Sequence, residues 1–217
     1  MSVRRTPLIA GICLTCLNVA ATAADSETRV FTVQVDGKSA GEFRLTVRTA
    51  DDGAETATAS ASVHVKSLLG GYRYSYRGTE VWSAGRLRQF DASSDDNGTR
   101  HVVRAVAEGD KVRVTVDGAG RLMRPDVLPT TYWRMPTAKA GRSVALLDAD
   151  TGEGQMATIT VGPQTIRVAG KETSCTRIGV AAPVPATIWY DARGRMVLQE
   201  TIEDGHKTVL TLREMQR

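Results

Sequence analysis

The sequence predicts an all-β protein: an antiparallel meander forming a strongly curved sheet or barrel, with a two-sheet sandwich as the alternative. Three observations carry that prediction. Apolar and polar residues alternate with period two along almost every segment after residue 29. Turn dipeptides such as Asp36-Gly37, Asn97-Gly98, Asp117-Gly118 and Asp204-Gly205 separate those segments. Beyond the N-terminal apolar run, no segment has the 3.6-residue period of a helix of three or more turns. Strands joined by tight turns pair antiparallel in sequence order. About eleven of them would curl or close, because a twisted sheet of that width does not stay flat.

The N-terminus reads as a secretory signal peptide. A basic MSVRR is followed by an apolar stretch and then by small residues that permit a cut after Ala23, with Ala24 as the neighbouring choice. The apolar stretch is shorter than the ~20 residues that span a bilayer, so no stable membrane span is expected after cleavage. Residues 1–23 are therefore assigned to a cleaved signal peptide, residues 24–217 to a single β domain, and the protein to the bacterial periplasm or the secreted fraction. Cleavage removes Arg4 and Arg5, leaving 26 of the 28 Lys and Arg against 24 Asp and Glu, a net charge of +2. The arginines are spread along the strands rather than clustered, which excludes a nucleic-acid footprint. Only Cys175 survives cleavage, so no internal disulfide can form and the core must hold the fold.

Taken in order, residues 31–35 and 43–47 alternate around the Asp36-Gly37 turn. Segment 55–66 is rich in Ala, Thr and Ser, which suits a strand packed closely under another layer or one at a thin edge. In the stretch 72–90, Tyr72, Tyr74 and Tyr76 alternate with Arg73, Ser75 and Arg77, giving one aromatic and one polar face. That strand continues to Trp82, turns at Ala84-Gly85 and returns through Leu87 and Phe90. A second Trp-bearing strand and glycine turn appears at 188–200, and the two hairpins are expected to frame one shared face. Asn97-Gly98 is the strongest hairpin signal, and residues 111–117 alternate cleanly before Gly118 and Gly120 end them. Segment 121–140, with Pro125, Pro129 and Pro136, is expected to be irregular with at most a helical turn near 130–134. Strands resume at 144–148, 155–161, 164–169, 171–180, 186–190, 196–203 and 206–212.

Catalytic signatures are missing: there is no H-E-x-x-H, G-x-S-x-G, P-loop or mature Cys-x-x-Cys. His64, His101 and His206 stand alone in their strands, so spacing supports neither a metal site nor a cofactor. Asp95-Asp96-Asn97-Gly98 lacks the alternate oxygen spacing of a calcium loop and reads as a turn. The Asn97-Gly98-Thr99 sequon is read as the same turn. Cys175 reads as a quiet strand residue. Asp148, Asp150 and Glu153 form the best carboxylate cluster. They could serve acid–base chemistry on a sugar, or simply end a strand in an acidic glycine turn. The candidate ligand-binding residues are the aromatics Tyr72, Tyr74, Tyr76, Trp82, Tyr132, Trp133 and Trp189, either lining a concave face or filling a core.

Five segments (YRYSYRGTEVWSAGRL, SSDDNGTRHVV, TTYWRM, LLDADTGE and IWYDARGRMV) resemble, in the same order, a family of secreted bacterial β-rich proteins known as a domain of unknown function. The resemblance covers roughly residues 30–212 and implies an envelope protein, with no catalytic residue to transfer. A more distant likeness is to the outer-membrane lipoprotein carriers, whose curved sheet holds acyl chains under a helical lid. This chain has no long helix for a lid, which leaves segment 121–140 as the cover. The expected function is a non-catalytic binding or scaffold protein with an aromatic-lined concave face. Its partner would be an apolar small molecule or lipid, or another envelope protein. The alternative is a cell-envelope hydrolase using the carboxylates of 148–153.

Overall fold

The computed structural model describes residues 25–67, 70–137 and 140–217, so the signal-peptide reading lies outside the described residues. The first arm holds β1 (Asp25–Val35), β2 (Lys38–Thr49), β3 (Glu55–Ser67), β4 (Gly70–Ser83), β5 (Arg86–Asp96), β6 (Thr99–Glu108), β7 (Lys111–Val116) and β8 (Ala119–Met123). The second holds β9 (Leu128–Pro129), β10 (Ser143–Leu147), β11 (Gly154–Val168), β12 (Lys171–Ala181), β13 (Ala186–Tyr190), β14 (Met196–Glu203) and β15 (His206–Gln216). All fifteen belong to one sheet, whose seam is the antiparallel pair β1–β15. One arm runs outward from the seam from β1 to β8, and the other from β15 back to β9. Every neighbouring pair is antiparallel except the short β9–β10 contact. A single curved sheet is thus the architecture, and the sandwich alternative is not adopted.

Local chemistry explains the meander. At Asp36-Gly37, Asn97-Gly98, Asp117-Gly118 and Asp204-Gly205 both central residues have positive φ, the geometry whose twist matches the flanking strands. Two sequence expectations need correction. The strand β8 occupies Ala119–Met123, because Asp117-Gly118 is a two-residue turn and irregular chain begins only near Pro125. Segments 155–161 and 164–169 are one strand, β11, running straight through Pro163. Beyond Thr158 the β10 ladder has ended, so the missing proline N–H falls where no β10 partner remains. Residues 130–131 form a turn and no helix.

The alanine-rich strand β3 lies between β2 and β4, with Ala57 and Ala59 buried. It is therefore not an edge. Its small side chains belong to rows crossing the sheet, such as Leu45–Ala59–Gly78–Ala92–Val103 and Phe31–Phe43–Ala61–Tyr76–Ser94. Small residues in such rows let the arm bend inward and leave room beneath it. The turn between β10 and β11 docks into that bend. A Cβ on Gly152 would lie 2.4 Å from Val116 Cγ2 and close to Val103, so only glycine allows this approach. Gly41 is held as closely, because a Cβ there would lie 1.9 Å from the Ser62 carbonyl oxygen.

Candidate functional site

The strand β4 sets up two environments with one alternation. Its inward positions are Tyr72, Tyr74, Tyr76, Gly78, Glu80 and Trp82, so the row begins aromatic, thins at a glycine and ends on a carboxylate beside an indole. The Tyr76 side chain lies along its own strand over Gly78, where an added Cβ would sit 2.2 Å from Tyr76 Oη.

Around Tyr72, Tyr74 and Tyr76 lies a cavity of about 390 Å³. Its apolar floor includes Phe43, Ala61, Val63, Leu146, Ala186 and Leu210, contributed by both arms of the sheet. Thr130, Thr131 and Tyr132 from the proline-rich segment close one side. Tyr72, Thr99, Thr151 and Glu203 are solvent-exposed, so the mouth lies at that end. Two buried polar atoms in the lining residues have no hydrogen-bond partner among the described residues, Tyr76 Oη and Gln199 Oε1. Unpaired buried oxygens cost free energy, and both atoms are closed off from the cavity space, Tyr76 Oη lying over Gly78.

The cavity is acidic on one wall. Asp96, Asp148, Asp150 and Glu203 line it, and the same lining holds no Lys or Arg. Asp148 is committed to its own turn: Oδ1 accepts from the backbone N–H groups of Asp150 and Thr151 and from Thr151 Oγ1. Asp150 is half-buried. Its backbone carbonyl accepts from Ser94 Oγ at 3.1 Å, and its Oδ1 accepts from Tyr74 Oη at 2.6 Å. Burial pushes the Asp150 carboxyl up to about 6, against the Tyr74 hydrogen bond and with help from Asp148, Glu203 and Asp96. Burial also pushes Glu203 upward, with the nearby carboxylates adding to it. Burial followed by the Asp96 carboxylate holds the Tyr72 hydroxyl firmly protonated. Glu153 is exposed and lies outside the cavity lining.

At the other end of the β4 row, Glu80 is buried at 3 % exposure and gathers the proline-rich segment onto the sheet. Its Oε2 accepts from Trp82 Nε1 and Trp133 Nε1, both at 2.8 Å, and its Oε1 accepts from Thr131 Oγ1. The Trp82 and Trp133 rings meet edge to face, with the Arg134 guanidinium over both. Arg134 also pairs with Glu55 and bridges to Arg195. Tyr132 has positive φ, and its carbonyl accepts from the buried Tyr190 hydroxyl at 2.8 Å.

The structure therefore divides the seven aromatic candidates. Tyr72, Tyr74, Tyr76 and Tyr132 line the cavity, whereas Trp82 and Trp133 pack around Glu80. Trp189 lies in a separate cluster with Val168, Cys175 and Val197, its Nε1 donating to Gln164. The two hairpins do share one interior face, through Trp82, Leu87 and Phe90 on one side and Ile188, Tyr190 and Met196 on the other, but Trp189 itself lies outside it. In β13 the adjacent Trp189 and Tyr190 must point to opposite sides, and Tyr190 takes the interior. Sequence reasoning missed Glu80, Gln199 and Glu203. The available signal was a polar residue at an inward position of the strand period, as Glu80 is between Tyr76 and Trp82.

A profile of the family described as a domain of unknown function (DUF6134) matches residues 31–213. The chain belongs to that family. Among solved structures, this DUF6134 member is similar to the beta-barrel-like protein of domain of unknown function DUF1849 from Brucella abortus. The two share 12 % identity and a TM-score of 0.66, over 88 % of this chain and 97 % of the other. At that identity the likeness shows a shared fold. Among curated proteins, none matches.

Proposed function

We propose that this protein is a non-catalytic binding protein of the bacterial cell envelope, exported by residues 1–23, that holds an apolar small molecule between its two arms. The observation carrying this reading is the cavity itself. Its volume of about 390 Å³ falls within the range of small-molecule clefts, with an apolar floor beside a polar, acidic wall. A hydrolase at 148–153 has less support. Within that segment Asp148 is spent on its turn and Glu153 is exposed and outside the cavity lining, so 148–153 supplies only Asp150 to the cavity.

The test is binding of the uncharged probe N-phenyl-1-naphthylamine to the purified protein, alongside native mass spectrometry of gently isolated material. Wild type is expected to brighten the probe, and Ala61→Trp, which fills the floor between Phe43 and Tyr76, to lose that response while keeping its melting temperature within a few degrees. If the spectra show only the bare chain and neither protein brightens the probe, the binding reading fails.

A further inference from the structure

We infer that the ligand is an alkylammonium amphiphile, its chain on the apolar floor and its cationic nitrogen between Asp150 and Glu203. This rests on the binding reading above and adds the charge and shape of what is bound.

The charge pattern of the rest of the molecule makes the acidic wall informative. On the outer surface and at the seam, carboxylates sit beside arginine: Glu27 with Arg29 and Arg195, Glu42 with Arg44 and Arg213, Asp95 with Arg100, and Asp191 with Arg195. In a chain with 28 Lys and Arg, Asp96, Asp148, Asp150 and Glu203 form no ion pair among the described residues. His101 also lines the cavity, and its Nδ1 is engaged by Asp117 Oδ2 at 3.1 Å. Four carboxylates facing one cavity without a counter-ion repel one another, and a bound cation relieves that repulsion.

The second observation is independent of charge. Opposite the acidic wall the cavity floor of Phe43, Ala61, Val63, Leu146, Ala186 and Leu210 is apolar, so the cavity is amphipathic. An ammonium carries donors and no acceptor, so it matches the acceptor-only carboxylates. Tyr72 and Tyr74 line the cavity with the acids, and aromatic rings beside a cation add to its binding. A metal ion fits less well. Among the described residues, no group of three Asp, Glu, His or Cys side chains converges closely enough to hold one. Carboxylates spread along a wall suit an organic cation instead. The apolar floor then calls for a chain attached to that nitrogen, and a chain of about ten carbons fits a cleft of this size.

Burial keeps the Asp150 carboxyl protonated up to about pH 6, so its charge becomes available above that pH. The groups facing it are Tyr74 on its own hydrogen bond, Asp96 and Tyr72 from the first arm, Asp148 in its turn, Glu203 from β14 and His101 from β6. Burial raises Glu203 in the same direction.

The experiment compares decylamine, decanol, decanoate and spermidine by isothermal calorimetry at pH 5 and pH 7.5, with Asp150→Asn as the variant. Asparagine keeps an oxygen for Tyr74, and a thermal melt checks that the fold is retained. Decylamine is expected to bind at least tenfold more tightly than decanol at pH 7.5, with decanoate and spermidine weaker still. Asp150→Asn is expected to remove most of the amine preference and its pH dependence while leaving decanol unchanged. Equal affinity for decylamine, decanol and decanoate overturns the cation inference and leaves the binding reading standing. Spermidine binding as tightly as decylamine overturns the amphiphilic half. Binding of none of the four overturns both.

Discussion

Glu80 and Asp150 are both inward-facing acids bonded to groups of the first arm, yet the structure treats them in opposite ways. Glu80 receives two indole N–H groups and a threonine hydroxyl, with Arg134 close by. Asp150 receives one tyrosine hydroxyl and faces three other acids. Burial pushes both carboxyls upward, but only at Glu80 do the donors saturate the group. The first acid is a fastener that seals one end of the interior. The second is left under-satisfied beside a cavity, as expected where the missing partner arrives from outside.

The sharpest way to break the comparison is Glu80→Ala. Two buried indole N–H groups would lose their acceptor at about 1–3 kcal/mol each, with the lost methylenes adding to that, so a destabilisation of about 3–5 kcal/mol is expected by chemical denaturation. Glu80→Gln keeps an oxygen for the indoles and should cost less than half as much. If both substitutions are equally mild, Glu80 is not a fastener.

Asp150→Asn should act with the opposite sign. The carboxyl moves from 3.8 to about 6 on folding, so the native state holds its proton more tightly than the unfolded chain. Stability from this group is complete below about pH 4 and is lost as pH rises through about 6. The variant should therefore match wild type at pH 4 and exceed it at pH 8 by on the order of 1–2 kcal/mol, after allowance for partial exposure. A variant less stable than wild type at pH 8 would mean that charged Asp150 stabilises the fold. Trp189→Phe should have the smallest effect. Its outward cluster and the Gln164 hydrogen bond predict a loss of about 1 kcal/mol and an unchanged probe response, because the ring lies away from the cavity.

Much of the fold was legible because β chemistry is local. Asn97-Gly98 and Asp117-Gly118 specify their turns within two residues, and Tyr72, Tyr74 and Tyr76 share a side because strand period is fixed. The site was legible only in part. The tyrosines stood out by alternation, and the cluster at 148–153 by composition. Gln199 and Glu203 carried no local mark, because their importance comes from β14 lying across the interior from β4.

From residues alone, this chain was bound to be all-β, antiparallel and curved, since period-two alternation and two-residue turns act between neighbours in sequence. Tertiary structure decided that Trp189 faces outward and Tyr190 inward, that Glu80 draws residues 131–134 onto the sheet, and that Asp150 stands beside Tyr74 across 76 positions of sequence. Those outcomes depend on how far the two arms curl toward each other. That curl is a sum over many small and large side chains along the rows of the sheet, which no single segment encodes.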